Sequence, residues 1–232
     1  MKINGRLILI AASFTLAVLV VTAFGARDIG YEERIHQFGH VGIGFNVMHK
    51  FALYNKGDQP YKIDSCYTRC SCSSVHLKDS VIYPGDTAYI ELSFETQDYY
   101  GPTNKSVSVF TNYPALAQHK FFYQAIVGQW FRGLKPNPIS LFFLPGHAAK
   151  KIVLPNATGF DIKIMDMYQF DSTFTVQTSS DKAANGKSIE LTVTPAVELE
   201  TGTYHSNFTL EIGIGDRQEP IVLTIPVKIV RY

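Results

Sequence analysis

From Phe38 onward the apolar positions alternate with polar ones at the two-residue period of half-buried strands. HKFALYN (49–55), AYIELSF (88–94), SVSVFTN (106–112) and KFFYQAIV (120–127) are strand-length runs rich in β-branched and aromatic residues. Lys56-Gly57-Asp58-Gln59-Pro60, Pro84-Gly85-Asp86 and Gly101-Pro102 break them as turns do. The second half follows the same plan, with ISLFFL (139–144), KIVL (151–154), FDIKIMDM (160–167), TFTVQT (173–178), SIELTVT (188–194), HSNFTLEI (205–212) and IVLTIPVKIV (221–230). No window of that region holds a 3.6-residue period well enough for a long helix, so the pattern predicts an all-β body.

AYIELSF at 88–94 is echoed by SIELTVT at 188–194, and each is followed by a glycine, Gly101 or Gly202, and another strand. A period of about 100 residues with about seven short strands per copy is the size of an immunoglobulin-like sandwich. The prolines of Gly133-Leu134-Lys135-Pro136-Asn137-Pro138 interrupt strand pairing and place the boundary there. The expected organisation is a segment 1–30, a first Ig-like domain over 31–132 and a second over 133–232.

The segment 1–30 is of a different kind. Leu7 to Phe24 carries no charge, Gly or Pro over 18 residues. As a helix it would span about 27 Å, close to the hydrocarbon thickness of a bilayer. Lys2 and Arg6 precede it, while Arg27, Asp28, Glu32, Glu33 and Arg34 follow with a net charge of −1. The positive-inside rule then leaves the N-terminus in the cytoplasm and the body outside. Ala23 and Gly25 would suit a signal-peptide cleavage site before Ala26, but the apolar run exceeds an ordinary signal core and favours a retained anchor.

Phe38-Gly39, HKFALYNKGDQP (49–60), Cys70-Ser71-Cys72, Pro84-Gly85-Asp86, Phe94, Gly101 and Thr111-Asn112-Tyr113-Pro114 occur in that order. The string resembles a bacterial family of uncharacterised, exported, Ig-like domains related to the Hydin-like sandwiches. Its pattern runs F-G, F-x-x-x-N-x-G, S-C-G-C-T, P-G and T-N-x-P. The resemblance covers Phe38 to Val127 and implies fold and export but no activity. Ser71 replaces the glycine of that pattern, and an additional Cys66 stands four residues before Cys70.

Composition narrows the chemistry. Lys plus Arg is 21 against 20 for Asp plus Glu in 232 residues, too balanced for a nucleic-acid binder. No G-x-S-x-G, G-x-x-x-x-G-K-S/T or G-x-G-x-x-G is present, no nucleophile–base pair stands out, and the chain reads as a non-enzyme without a cofactor. Cys66, Cys70 and Cys72, with His76 beyond, allow either one disulfide plus a free thiol or a soft-metal site for copper or zinc. In a strand Cys70 and Cys72 would lie about 6.5–7 Å apart, so Cys66 is the expected disulfide partner. The seven histidines, His36, His40, His49, His76, His119, His147 and His205, form no H-E-x-x-H or H-x-H and read as solvent-facing or satisfied residues.

Aromatics are abundant, with 16 Phe, 13 Tyr and 1 Trp. Among the clustered ones, Tyr99, Tyr100, Trp130 and Phe131 are candidates for a partner-binding face or for the seam between the domains. The expectation is a single-pass protein of the bacterial inner membrane with a periplasmic body. It would be a structural or accessory subunit that binds and stabilises other subunits of a larger membrane complex, such as a respiratory or photosynthetic one. The alternative is a periplasmic copper-binding or thiol protein working through Cys66, Cys70 and Cys72.

Overall fold

The computed structural model describes residues 29–112 and 117–232, so the Leu7–Phe24 segment and Tyr113-Pro114 lie outside the described residues. Among the described residues the chain is all-β, with no helix. Seventeen strands run in chain order through the described residues. In the first half they are β1 (Ile29–Tyr31), β2 (Ile35–Val41), β3 (Asn46–Asn55), β4 (Tyr61–Thr68), β5 (Ser73–Leu77), β6 (Val81–Ile82), β7 (Thr87–Glu95), β8 (Gly101–Thr111) and β9 (Gln118–Val127). The second half has β10 (Leu141–Phe143), β11 (Lys150–Pro155), β12 (Ile162–Gln169), β13 (Phe174–Thr178), β14 (Lys182–Ala183), β15 (Ser188–Pro195), β16 (Gly202–Ile214) and β17 (Ile221–Arg231).

Two buried apolar cores fill the molecule. Phe51, Leu53, Ile90, Leu92 and Phe94 of the sheet β1-β3-β7-β5 pack against Phe38, Ile63, Val107, Val109, Phe121 and Tyr123 of the facing sheet. The second core joins Ile152, Leu154, Ile189, Leu191 and Val193 of the sheet β11-β15-β13 to Phe208, Leu210, Leu223, Ile225 and Ile229 opposite. The alternation seen along the sequence is therefore the inward face of two β-sandwiches, one for each half.

The halves match at an offset of 101 residues, visible in hydrogen bonds. Asn55 is buried; its amide donates to the carbonyls of Gln59 (2.7 Å) and Ile82 (2.9 Å) and its Oδ1 accepts from Gly57 N–H (3.0 Å). Asn156 repeats this with Phe160 (2.8 Å), Ala183 (3.0 Å) and Thr158 N–H (3.2 Å). The β4–β8 ladder bulges between Ile63 and Ser65, and the β12–β16 ladder between Ile164 and Asp166. The echo of AYIELSF in SIELTVT has a different register. Phe51 faces Ile90 and Ile152 faces Leu191, so Ile90 corresponds to Leu191 rather than to Ile189. A slip of two residues keeps every side chain on its face, so periodicity alone cannot detect it.

The sandwiches share a sheet. β2 runs parallel to β9 on one side and parallel to β17 on the other, so that β14-β12-β16-β17-β2-β9-β8-β4-β6 forms one continuous sheet, with β10 also on β17. Thr209, which is fully buried, lies 2.9 Å from the equally buried Thr224, and Thr224 Oγ1 donates to the Phe38 carbonyl at 2.6 Å. Gly39 sits beside that bond with φ +62, at an irregularity in the β2–β9 ladder. A Cβ there would overlap the Val222 carbonyl oxygen, so only glycine lets β2 approach β17 this closely. A second tie crosses the joint where Met48 N–H donates to Asn207 Oδ1 at 2.5 Å.

Candidate functional site

Among the described residues two places gather chemistry-bearing side chains, one within the first sandwich and one at its joint with the second. One is the corner between β4 and β5. Here the expected pairing through Cys66 is corrected: Cys70 and Cys72 are disulfide-bonded, and Cys66 is free. Residues 70–72 form a turn, not a strand, which draws the two Cα atoms to 5.2 Å and within disulfide reach. The Tyr99 hydroxyl lies 3.0 Å from Cys70 Sγ and donates to Cys72 Sγ at 2.9 Å. Ser73 Oγ stands 2.6 Å from the Tyr123 hydroxyl, whose pKa burial raises.

Cys66 is half-buried on β4, paired opposite Val109 and packed on the first core. His76 projects from β5 opposite Glu91, where it is exposed. The soft-metal set of three thiolates with His76 is thus not assembled: two sulfurs are bonded to each other. In the second sandwich Asp171 and Thr173 occupy the corresponding positions. Asp171 Oδ1 accepts from Thr173 N–H (3.0 Å), Thr173 Oγ1 (2.6 Å) and Ser206 Oγ (2.9 Å). A hydrogen-bonded turn does there what the covalent bond does in the first sandwich.

Burial pushes the Cys66 thiol up to about 11, above the ordinary cysteine range. The thiolate fraction at neutral pH is then about 100-fold below that of an ordinary cysteine, and alkylation slows in proportion. The native chain is expected to take up iodoacetamide only slowly. One label per chain is expected after denaturation without reductant, and three when reductant is added, read by intact-mass spectrometry. Two labels at Cys70 and Cys72 without reductant would contradict the pairing.

The other place is a cleft of about 470 Å³ at the joint of the sandwiches, lined in part by Glu33, His36, His49, Tyr168, Asn207 and Glu211. His36 enters on β2 and His49 on β3, strands of opposite sheets, and their rings stack with centroids 3.5 Å apart and planes 13° apart. Glu33 Oε1 lies 3.2 Å from His36 Nδ1 and 2.8 Å from His49 Nε2. The approach to His49 is off the line of a good hydrogen bond, which leaves the buried Nε2 without an aligned partner. The side chains are 5% (His36), 15% (His49) and 38% (Glu33) exposed, so the carboxylate is the member open to the cleft.

Burial opposes ionisation of Glu33, but its hydrogen bond to His36, its close contact with His49 and the positive charge of both rings outweigh this and hold its pKa at about 2. Burial pushes His49 down to about 4 against the pull of Glu33. Burial and the nearby Glu211 raise Tyr168 to about 12. Three donors of two chemical types meet here, so His36 and His49 share one carboxylate rather than facing solvent. Nothing in the sequence spacing shows it, because His36 and His49 lie 13 positions apart on different strands.

The aromatic candidates divide. Tyr99 is turned inward over the sulfurs and packs against Phe94 with the ring planes tilted by 58°. Trp130 and Phe131 pack partly against the second core, and Phe131 lies within 6.5 Å of the His40 ring. Tyr100 is 71% exposed.

No curated protein matches the chain. Among solved structures, it is similar over 88% of its length to 99% of a protein of unknown function from Porphyromonas gingivalis W83, at 11% identity and a TM-score of 0.37. It also resembles the secreted serine protease VesC from Vibrio cholerae, with 9% identity, 72% and 46% of the two chains covered and a TM-score of 0.36. A third likeness is to the CupB2 chaperone of Pseudomonas aeruginosa, with 8% identity, 84% and 98% covered and a TM-score of 0.32. By sequence, residues 29–123, which reach from β1 into β9, are similar to a family described as "Protein of unknown function (DUF1573)".

Proposed function

We propose that the chain is an exported, membrane-anchored accessory subunit. Its two sandwiches, Ig-like in strand plan, act as one rigid bracket against other subunits of a bacterial membrane complex. The observation that carries this reading is the shared strand β2. A flexible tether would let the sandwiches reorient, whereas parallel pairing to β9 and β17 holds them at one angle. A fixed spacing between two binding faces is useful to a protein that bridges parts of an assembly. The apolar Leu7–Phe24 segment and its flanking charges support export and anchoring. Tyr100 at the end of the first sandwich offers an exposed contact of the kind such faces use.

Extraction of native membranes in a mild detergent, followed by size separation and mass spectrometry, tests the proposal. The chain is expected to travel in a large assembly with defined companions. Migration as a single chain would overturn the bracket reading.

A further inference from the structure

The cleft at the joint carries an inference that is independent of whether the chain enters an assembly. We infer that Glu33, His36 and His49 form a binding site for one divalent transition-metal ion of the zinc class, held by Glu33 Oε1, His36 Nδ1 and His49 Nε2. One potential ligand atom from each of the three side chains lies within 4.8 Å of the others. Tetrahedral zinc with bonds of about 2.0–2.1 Å places its ligand atoms about 3.3 Å apart. The two nitrogen–oxygen separations, 3.2 Å and 2.8 Å, lie close to or somewhat below that spacing, and because the two rings stack face to face the His49 ring must turn out of the stack for both lone pairs to point at one ion.

Donor chemistry selects the ion. Two imidazoles and one carboxylate suit zinc and its neighbours, whereas magnesium and calcium take all-oxygen shells. The Nε2 of His49 is buried without an aligned hydrogen bond, and an ion would satisfy it by accepting its lone pair.

The surroundings favour a cation. Glu32 and Glu211 line the same cleft. Among the described residues that line it, Lys50 is paired with Glu91 at 3.3 Å and lies over the Phe170 ring at 4.6 Å. Three protein donors leave a fourth position, and it opens on the cleft where Tyr168 of the second sandwich faces His36. The ion would tie the approach to β2 to the facing sheet through β3, directly beside the Met48–Asn207 bond across the joint. Metal at this point stiffens the same joint that Gly39 permits.

The full chain, purified in detergent and stripped with a chelator, is titrated with zinc chloride by calorimetry and with cobalt(II) chloride by visible absorption. One ion per chain is expected, with cobalt bands in the range of four- or five-coordinate sites and a higher melting temperature with zinc. His36→Gln and His49→Gln should each weaken zinc binding at least 10-fold. Cys66→Ser and His76→Ala, which remove donors outside the cluster, should leave it unchanged. Because a substitution in the cleft can perturb folding, zinc protection of the wild-type histidines is read as well. Zinc, but not magnesium, should shield His36 and His49 from diethyl pyrocarbonate. No stoichiometric binding, binding untouched by both histidine substitutions, or unchanged modification of His36 and His49 with zinc would each overturn the site.

Discussion

Replacing Gly39 with valine is expected to lower stability by about 3–4 kcal/mol and to uncouple the two sandwiches. Two costs add. The residue holds φ +62, where a β-branched side chain is strained by about 1–2 kcal/mol or more. The new Cβ also overlaps the carbonyl of Val222, which is backbone and cannot swing aside. The chain relieves the overlap by drawing β2 away from β17, and the Thr224–Phe38 hydrogen bond then breaks. Thermal unfolding followed by calorimetry should show one transition in the parent and two in Gly39→Val. The first should fall by about 10 °C for a body of this size. Limited proteolysis should cut the variant near Gly128–Gly133, between the cores. A single transition at the parent temperature would refute this account of the joint. Alanine at the same position should give a smaller effect of the same kind.

Asn156→Asp is expected to cost about 3 kcal/mol or more in the second sandwich, and Asn55→Asp the same in the first. The substitution keeps shape and the accepted hydrogen bond but turns two donations into repulsion. The carbonyls of Phe160 and Ala183 lose their partner and meet a carboxylate instead. Each buried polar group left unpaired costs about 1–3 kcal/mol, and here two are lost together. Chemical denaturation of each variant measures the loss. Hydrogen exchange locates it, with protection falling in 134–231 for Asn156→Asp and in 35–127 for Asn55→Asp. A change below about 0.5 kcal/mol would show that the buried amide does not clamp its loop. Equal losses at the two positions would confirm energetically the repeat that the hydrogen bonds show geometrically.

The Asn pair shows how much of the fold is readable in advance. Strands such as β3, β7, β8, β9 and β17 are long, alternating and bounded by turn residues, so their existence follows from the pattern. β4, β5 and β2 are not conspicuous, because Tyr61–Thr68, Ser73–Leu77 and Ile35–Val41 mix polar residues into half-exposed positions. The duplication at about 100 residues is visible in the sequence. Its register is not, since a two-residue slip preserves the inward face of every strand. The cysteine pairing is not legible for a local reason: the reach of Cys70 to Cys72 depends on whether the chain between them extends or turns.

What the sequence alone determines is the all-β character of the body and its repeat, because alternation and turn residues act over a few positions. The separate cores follow, since each half supplies its own apolar face. The parallel insertion of β2 between β9 and β17 is a tertiary decision. It rests on one glycine that lets two backbones meet, and a lone Gly in a strand does not announce its neighbour. The meeting of Glu33 and His36 with His49 is likewise made only when two sheets stack. Side chains distant along the chain become ligands of one point through packing, and no periodicity along the chain encodes that distance.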